Sequence, residues 1–154
     1  MLETYRTDVL PEWTDYNGHL RDAHYLLLFS FATDALMDHL GLDAAGRART
    51  GHTLYTLEVH LNYLAEVKVS ETVCVMTQLV GRDRKRLHVY HALYRGETLA
   101  AASEQMLMNI DTATGRSAVF EETVEKSVEA LMKTQCGMEK PAYCGRVIGL
   151  PAGR

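Results

Sequence analysis

The stretch PEWTDYNGHLRDAHYLLLFSF, residues 11–31, decides how the chain folds. Its first half is polar and turn-forming, with Trp13, Asp15, Asn17, Gly18, His19 and Asp22 gathered together, and its second half is almost continuously apolar. The Asn17-Gly18 pair favours a turn that needs positive φ, so residues 11–21 read as a loop. Asp22 follows at the expected N-cap, where a carboxylate satisfies free amides of a first helical turn. A helix is predicted from there to about Leu40, with Gly41 as its stop. Ser30, Asp34 and Asp38 recur at spacing four and form one narrow polar stripe. Tyr25, Leu26, Leu27, Leu28, Phe29, Phe31, Ala32, Leu36 and Met37 occupy most of the remaining circumference. Such a helix is wrapped by other structure rather than laid on a surface.

Outward from this helix, residues 2–10 read as a short strand and residues 42–51 as a Gly- and Arg-containing linker. The period then changes from helical to alternating: Tyr55, Leu57, Val59, Leu61 and Tyr63 interleave with Thr56, Glu58, His60 and Asn62, as in a half-buried strand. Three more strands are predicted over residues 72–80, 86–94 and 98–110, joined so tightly that they must pair as an antiparallel meander. Residues 121–135 form an amphipathic helix with Val124, Val128, Leu131 and Met132 on one face. The division is a single domain over residues 1–135 and an irregular, partly disordered tail over 136–154. Strand, long buried helix and four antiparallel strands give an α+β fold, a curled antiparallel sheet wrapped around one helix with a C-terminal helix added. Its uncovered sheet face and edge predict a homodimer or a dimer of dimers.

Composition narrows the function. The 154 residues carry a net charge of −4, so nothing global attracts nucleic acid. The oily segment over residues 23–40 contains His24, Asp34, Asp38 and His39, which argues against a membrane span. Cys74, Cys136 and Cys144 are an odd set without C-x-x-C spacing, and no signal peptide precedes Pro11, so a cytoplasmic protein without a metal site is expected.

Within this layout, DYNGHLRDAHY over residues 15–25 resembles the signature of the 4-hydroxybenzoyl-CoA thioesterase branch of the hotdog family. That signature is an Asp, two free positions, Gly-His, a usually Asn-containing pair, and a Tyr three residues after that pair. Asp15, Gly18, His19 and Tyr25 match it, while Arg21 and Asp22 replace the common asparagines. The resemblance implies a hotdog fold and hydrolysis of an acyl-CoA, with Asp15, Gly18 and His19 at the catalytic centre. A narrower resemblance runs through TLYTLEVHLNYLAEV (53–67), KRLHVYH (85–91) and WTDYNGH (13–19). These are similar to the thioesterase module that accompanies carnitine dehydrogenase in bacterial carnitine degradation, which implies betainyl-CoA as substrate and glycine betaine and CoA as products.

The chemistry of the residues agrees. An ionised carboxylate such as Asp15 can attack a thioester carbonyl directly or draw a proton from water, and both routes stay open. Backbone amides around Asp22 to His24, at the start of the helix, can polarise the carbonyl oxygen. No metal, flavin or nucleotide cofactor is called for, since CoA is part of the substrate. A trimethylammonium group offers fixed charge and no hydrogen-bond donor, so aromatic faces and carboxylates must select it. Trp13 with Tyr16, Tyr55 or Tyr63 would form the walls, and Glu58 or Glu104 the counter-charge. Asn17, Asp22, His24 and Tyr25 complete the substrate-side candidates. Each has a plainer alternative: Asp15 as a turn residue, His19 and Tyr25 as packing, Trp13 as a loop anchor, Glu58 as strand surface. Glu104 sits among Ala100, Ala102, Met106 and Met108 and needs a partner there. The run GRDRKR, with Arg82, Arg84, Lys85 and Arg86, is either a dock for CoA phosphates or a solvated hairpin. Two rival activities share the fold. An enoyl-CoA hydratase would carry Asp-x-Asn-Pro-x-His, but Gly18 stands at the proline and His19 comes one residue early. A non-catalytic acyl-CoA-binding protein would not need Asp15.

Overall fold

The computed structural model describes residues 1–150. Strand β1 (Leu2–Asp8) leads through a 3-10 turn (Pro11–Trp13) and a loop into helix α1 (Asp22–His39). Helix α2 (Ala44–Thr50) and strands β2 (His52–Tyr63), β3 (Thr72–Arg82), β4 (Arg86–Arg95) and β5 (Thr98–Asp111) follow. A two-residue strand β6 (Arg116–Ser117) and helix α3 (Glu122–Thr134) complete the elements.

All the strands join one antiparallel sheet in the order β1-β3-β4-β5-β2, with β6 beside β5. The predicted meander is therefore β3-β4-β5, and β2 crosses to its far edge. The sheet curls around α1, the hotdog arrangement. Leu28, Phe29 and Leu36 of α1 are fully buried against inward residues such as Val75, Leu93 and Leu107. Burying each such side chain contributes about 1.5 to 3 kcal/mol.

One polar chain crosses this core. His91 of β4 lies between Thr77 Oγ1 at 2.8 Å and Thr33 Oγ1 at 3.1 Å, and its ring stacks on Phe29. Burial pushes its pKa down to about 3, so the imidazole is neutral and joins α1 to the sheet through hydrogen bonds.

Several expectations need correction. Asp22 is the first helical residue rather than the N-cap, because Arg21 takes the extended cap conformation; the Asp22 carboxylate accepts the Ala23 N–H at 2.8 Å. Within one chain α1 is not wrapped all round: Leu26 and Leu27 are exposed beside Ser30 and Asp34. The supposed linker contains α2, capped by Asp43 accepting the Gly46 N–H at 2.8 Å and ended by Gly51 at φ 70°. Gly46 looked like a linker residue, yet it is required by a close approach: a Cβ there would lie 1.9 Å from the Gly41 carbonyl oxygen.

The tail also makes contacts that the sequence did not announce. No helix or strand follows Thr134 among the described residues, but Gln135 extends the sheet with its side chain. Leu79 N–H donates to Gln135 Oε1 at 2.8 Å, and Gln135 Nε2 donates to the Thr77 carbonyl at 3.1 Å. Farther on, Tyr143 and Cys144 pack on the outer sheet face against Tyr90, Ala92 and Ala102. Residues 151–154 of the predicted tail lie outside the described residues. Among the described residues no helix is long and apolar enough to cross a membrane.

Candidate active site

The loop before α1 is a small hairpin. Thr14 and Leu20 face each other across an antiparallel bridge, the Asp15 N–H donates to the His19 carbonyl at 2.8 Å, and the Gly18 N–H donates to the Asp15 carbonyl at 3.0 Å. This is a turn over Tyr16 and Asn17 followed by a left-handed residue, which is why glycine stands at position 18, with φ 76°. Asp15 Oδ1 accepts the Asn17 N–H at 2.8 Å and the His19 N–H at 3.0 Å. The His19 amide above all, helped by the Asn17 amide, holds the Asp15 carboxyl below its usual range. Only Oδ1 serves the turn; among the described residues no hydrogen bond reaches Oδ2. The turn role and the acid role of Asp15 are thus compatible, with one oxygen for each.

The hairpin is held against the segment after β2. Leu20 N–H donates to the Val67 carbonyl at 2.8 Å, Val69 N–H donates to the Gly18 carbonyl at 2.9 Å, and His19 Nε2 lies 3.3 Å from Glu66 Oε2. Beside it opens a cleft of about 340 Å³ lined by Leu20, Asp22, Tyr25, Tyr63, Ala65 and Glu66. Tyr25 and Tyr63 meet edge to face at 5.3 Å, and the Tyr63 hydroxyl donates to the Asp22 carbonyl at 3.2 Å. Burial pushes both phenols up, so both rings are neutral at physiological pH. Glu66 had no motif to announce it. Trp13 stacks on His24 with centroids 6.1 Å apart and packs onto the core beneath the loop, the geometry of an anchor.

The expected amide donors are mostly engaged. Ala23 N–H goes to the Asp22 carboxylate and His24 N–H to the Arg21 carbonyl at 3.0 Å. Among the described residues the Asp22 N–H has no hydrogen-bond partner, so it remains as the amide at the helix start able to meet an oxyanion.

Other predicted residues are not brought to this cleft within one chain. Tyr16 sits at the tip of the turn, 95% exposed. Tyr55 is eight positions before Tyr63 on β2, roughly 26 Å away along a strand. Glu58 and Glu104 point to the outer sheet face and line a different cavity with His60, His88 and Met106. The partner that half-buried Glu104 needs is there: its Oε1 lies 2.7 Å from His88 Nε2, and its Oε2 accepts the Gly145 N–H at 2.6 Å. Burial raises the Glu104 pKa, but the Gly145 amide and His88 together outweigh it and the net shift is downward.

Two of the four basic side chains are paired with acids. Arg82 pairs with Glu125 and Glu129, both at 2.8 Å, and Arg86 pairs with Asp83 at 2.6 Å. Lys85 Nζ contacts Ser117, and among the described residues the Arg84 side chain makes no hydrogen bond or ion pair. The Lys85 amide and the Arg86 side chain pull the Asp83 carboxyl down to about 2. The run sits at the end of β3 remote from Thr72, whereas the Asp15 hairpin adjoins the segment that leads into Thr72.

The model of the thioesterase-like superfamily matches residues 9–128, from the end of β1 through the Asp15 hairpin and the whole meander into α3. The chain belongs to this superfamily. The betainyl-CoA thioesterase of Pseudomonas aeruginosa is 57% identical over 157 residues, covering 100% of this chain and 98% of that protein. The L-carnitine dehydrogenase/betainyl-CoA thioesterase of Agrobacterium fabrum is 41% identical over 132 residues, 84% of this chain but 27% of that larger protein. A Staphylococcus aureus protein solved in complex with CoA superposes with a TM-score of 0.91 at 31% identity, covering 97% of this chain and 96% of that one. This superfamily member is a thioester hydrolase with the hotdog fold.

Proposed function

We propose that this thioester hydrolase cleaves betainyl-CoA to glycine betaine and CoA, as a step in carnitine breakdown. The observation that carries the reading is the 57% identity, along the full chain, to the betainyl-CoA thioesterase of Pseudomonas aeruginosa. In this reading the Asp15 carboxylate, ionised and with one free oxygen, attacks the carbonyl or takes a proton from the attacking water. On either route an oxygen bonds to the carbonyl carbon as the carbon–sulfur bond breaks and the CoA thiolate leaves to be protonated; where the oxygen is that of Asp15, water then hydrolyses the mixed anhydride, releasing the acid and restoring the carboxylate. The Asp22 N–H at the positive end of α1 meets the developing oxyanion. His19 holds the hairpin in place through Glu66 and contributes its amide to Asp15.

The cleft beside the hairpin suits the acyl group. A trimethylammonium ion is attracted to aromatic faces and neighbouring negative charge, and Tyr25, Tyr63, Asp22 and Glu66 supply both. CoA enters as part of the substrate, and the reading calls for no other cofactor. The free cysteines Cys74, Cys136 and Cys144 go with a cytoplasmic setting.

A homodimer, or a dimer of dimers, belongs to the same reading. Among the described residues β2 is a free sheet edge that exposes Tyr55, Leu57 and Val59, and α1 exposes Leu26 and Leu27, with Leu26 and Val59 lining one pocket. Such an edge is closed by pairing with a second copy. Sedimentation should give an even-numbered oligomer, and a fully active monomer at micromolar concentration would remove this part.

The test of function is a panel of purified acyl-CoAs with a thiol reagent to detect released CoA. Betainyl-CoA should have the highest kcat/KM. Equal or better turnover of a neutral ester of the same shape would overturn the substrate, and release of no CoA from any ester would overturn thioester hydrolysis.

A further inference from the structure

We propose that His88, Glu104 and Cys144 form a binding site for a divalent transition-metal ion of the zinc type on the outer face of the sheet. The three come from β4, β5 and the C-terminal segment, and their ligand atoms, an imidazole nitrogen, a carboxylate oxygen and a thiol sulfur, all lie within 4.8 Å of one another. Tetrahedral zinc, with bonds of about 2.0 to 2.3 Å, sets its ligand atoms roughly 3.5 Å apart. Side-chain rotations of about 1 Å, opening the 2.7 Å His88–Glu104 contact and drawing Cys144 inward, reach that spacing.

The surroundings add to the case. All three residues are half-buried, so a cation between them is partly removed from water and held more strongly than on an open surface. The adjoining cavity, about 300 Å³, is also lined by Glu58, His60 and Arg146, and His60 stands directly across from Glu104 in the β2–β5 ladder. His60 or a water molecule fills the fourth position. A thiolate among the ligands selects against magnesium and calcium and favours zinc.

The His88–Glu104 hydrogen bond serves two members of the cluster, and Cys144 lies beside the same carboxylate. An ordinary thiol is mostly protonated at neutral pH. Binding reverses this: the sulfur loses its proton to solvent and bonds the metal, and His88 gives up its contact with Glu104 and coordinates through Nε2, with its ring proton on Nδ1. The ion then ties the segment around Cys144 and Gly145 to two sheet strands.

The test is titration of the reduced, full-length protein with cobalt(II), which reports a thiolate ligand by a near-ultraviolet charge-transfer band. The band should saturate at one ion per chain, be abolished by zinc, and appear with release of a proton. Cys144→Ser should eliminate it, while Cys136→Ser leaves it unchanged, with circular dichroism checking that both variants fold. His88→Ala and Glu104→Gln should each weaken cobalt affinity at least about tenfold, since losing even an outer partner of a ligand costs 10- to 100-fold. Absence of the band, its survival in Cys144→Ser, or unchanged affinity in both His88→Ala and Glu104→Gln would overturn the site.

Discussion

Tyr63→Leu is the sharpest perturbation of the substrate cleft. The leucine keeps apolar bulk but removes the ring that meets Tyr25 at 5.3 Å and the hydroxyl that donates to the Asp22 carbonyl. A cation over an aromatic face is worth from about 0.5–1 kcal/mol when exposed to about 2 kcal/mol when desolvated. Tyr63 is 54% exposed in the single chain, so the lower end applies, about 1 kcal/mol or roughly fivefold. The lost hydroxyl affects every substrate alike and must be separated from the charge effect. Two controls do this. Tyr63→Phe retains the face and loses the hydrogen bond, and 3,3-dimethylbutanoyl-CoA has the shape of betainyl-CoA with carbon in place of the charged nitrogen. Steady-state kcat/KM is measured for both esters by CoA release. Tyr63→Leu should lower the betainyl to dimethylbutanoyl ratio by about fivefold, and Tyr63→Phe should leave that ratio near the starting value. A parallel fall for both esters would mean that Tyr63 only supports the cleft, and the charge-recognition argument would fail.

Asp15→Asn keeps an oxygen able to accept the Asn17 and His19 amides, so the turn should survive while turnover falls by about 100-fold or more. Near-normal turnover would remove Asp15 from the chemistry; in the unmodified protein the acid limb of kcat/KM, followed as far as stability allows, should lie below the ordinary Asp value of 3.8, because the His19 amide favours the charged form. His91 titrates near 6.5 when unfolded and near 3 when folded, so its contribution is fully present above pH 6.5 and is lost as pH falls toward 3. The unfolding free energy from denaturant titration should therefore decline below pH 6.5 by up to about 1.4 kcal/mol per pH unit from this group, and His91→Gln, less stable at neutral pH, should lose that share of the slope. Gly46→Ala drives a Cβ against the Gly41 backbone and should cost about 2 to 3 kcal/mol, visible as a thermal midpoint roughly 5 to 10 °C lower; an unchanged midpoint would show that the loop between α1 and α2 yields freely.

What could be read from the sequence was local. The Asp15 hairpin is specified within five residues, because the turn geometry demands a glycine at 18 and the side chain of Asp15 bonds amides two and four positions on. The strands β3, β4 and β5 announce themselves by alternation and short connections. What could not be read depends on partners distant in sequence. The run at 82–86 reads in sequence as either a phosphate dock or a solvated hairpin, and its real partners come from far away: α3 brings Glu125 and Glu129 onto Arg82 across more than forty residues. Glu66 meets His19 only because the segment after β2 folds back on the hairpin.

The same reasoning explains the cluster on the outer face. Metal ligation is recognised in a sequence by donors at short fixed spacing, since a turn or one helical face then delivers them to one point. His88 and Glu104 are brought together by strand register instead: Tyr90 pairs with Glu104 and His88 with Met106, so the two side chains are diagonal neighbours on one face of the β4–β5 ladder. Diagonal neighbours lie about 7 to 8 Å apart at the backbone, within the reach of an imidazole and a carboxylate. Cys144 arrives forty residues after Glu104 by a different route, because Gln135 anchors the start of the tail at the edge of β3 and Tyr143 finds the apolar floor formed by Tyr90, Ala92 and Ala102. The donor set is thus specified by a register and a packing contact. Shifting β4 against β5 by one residue would turn His88 to the opposite sheet face, so the site stands or falls with the same pairing that buries His91 and encloses α1.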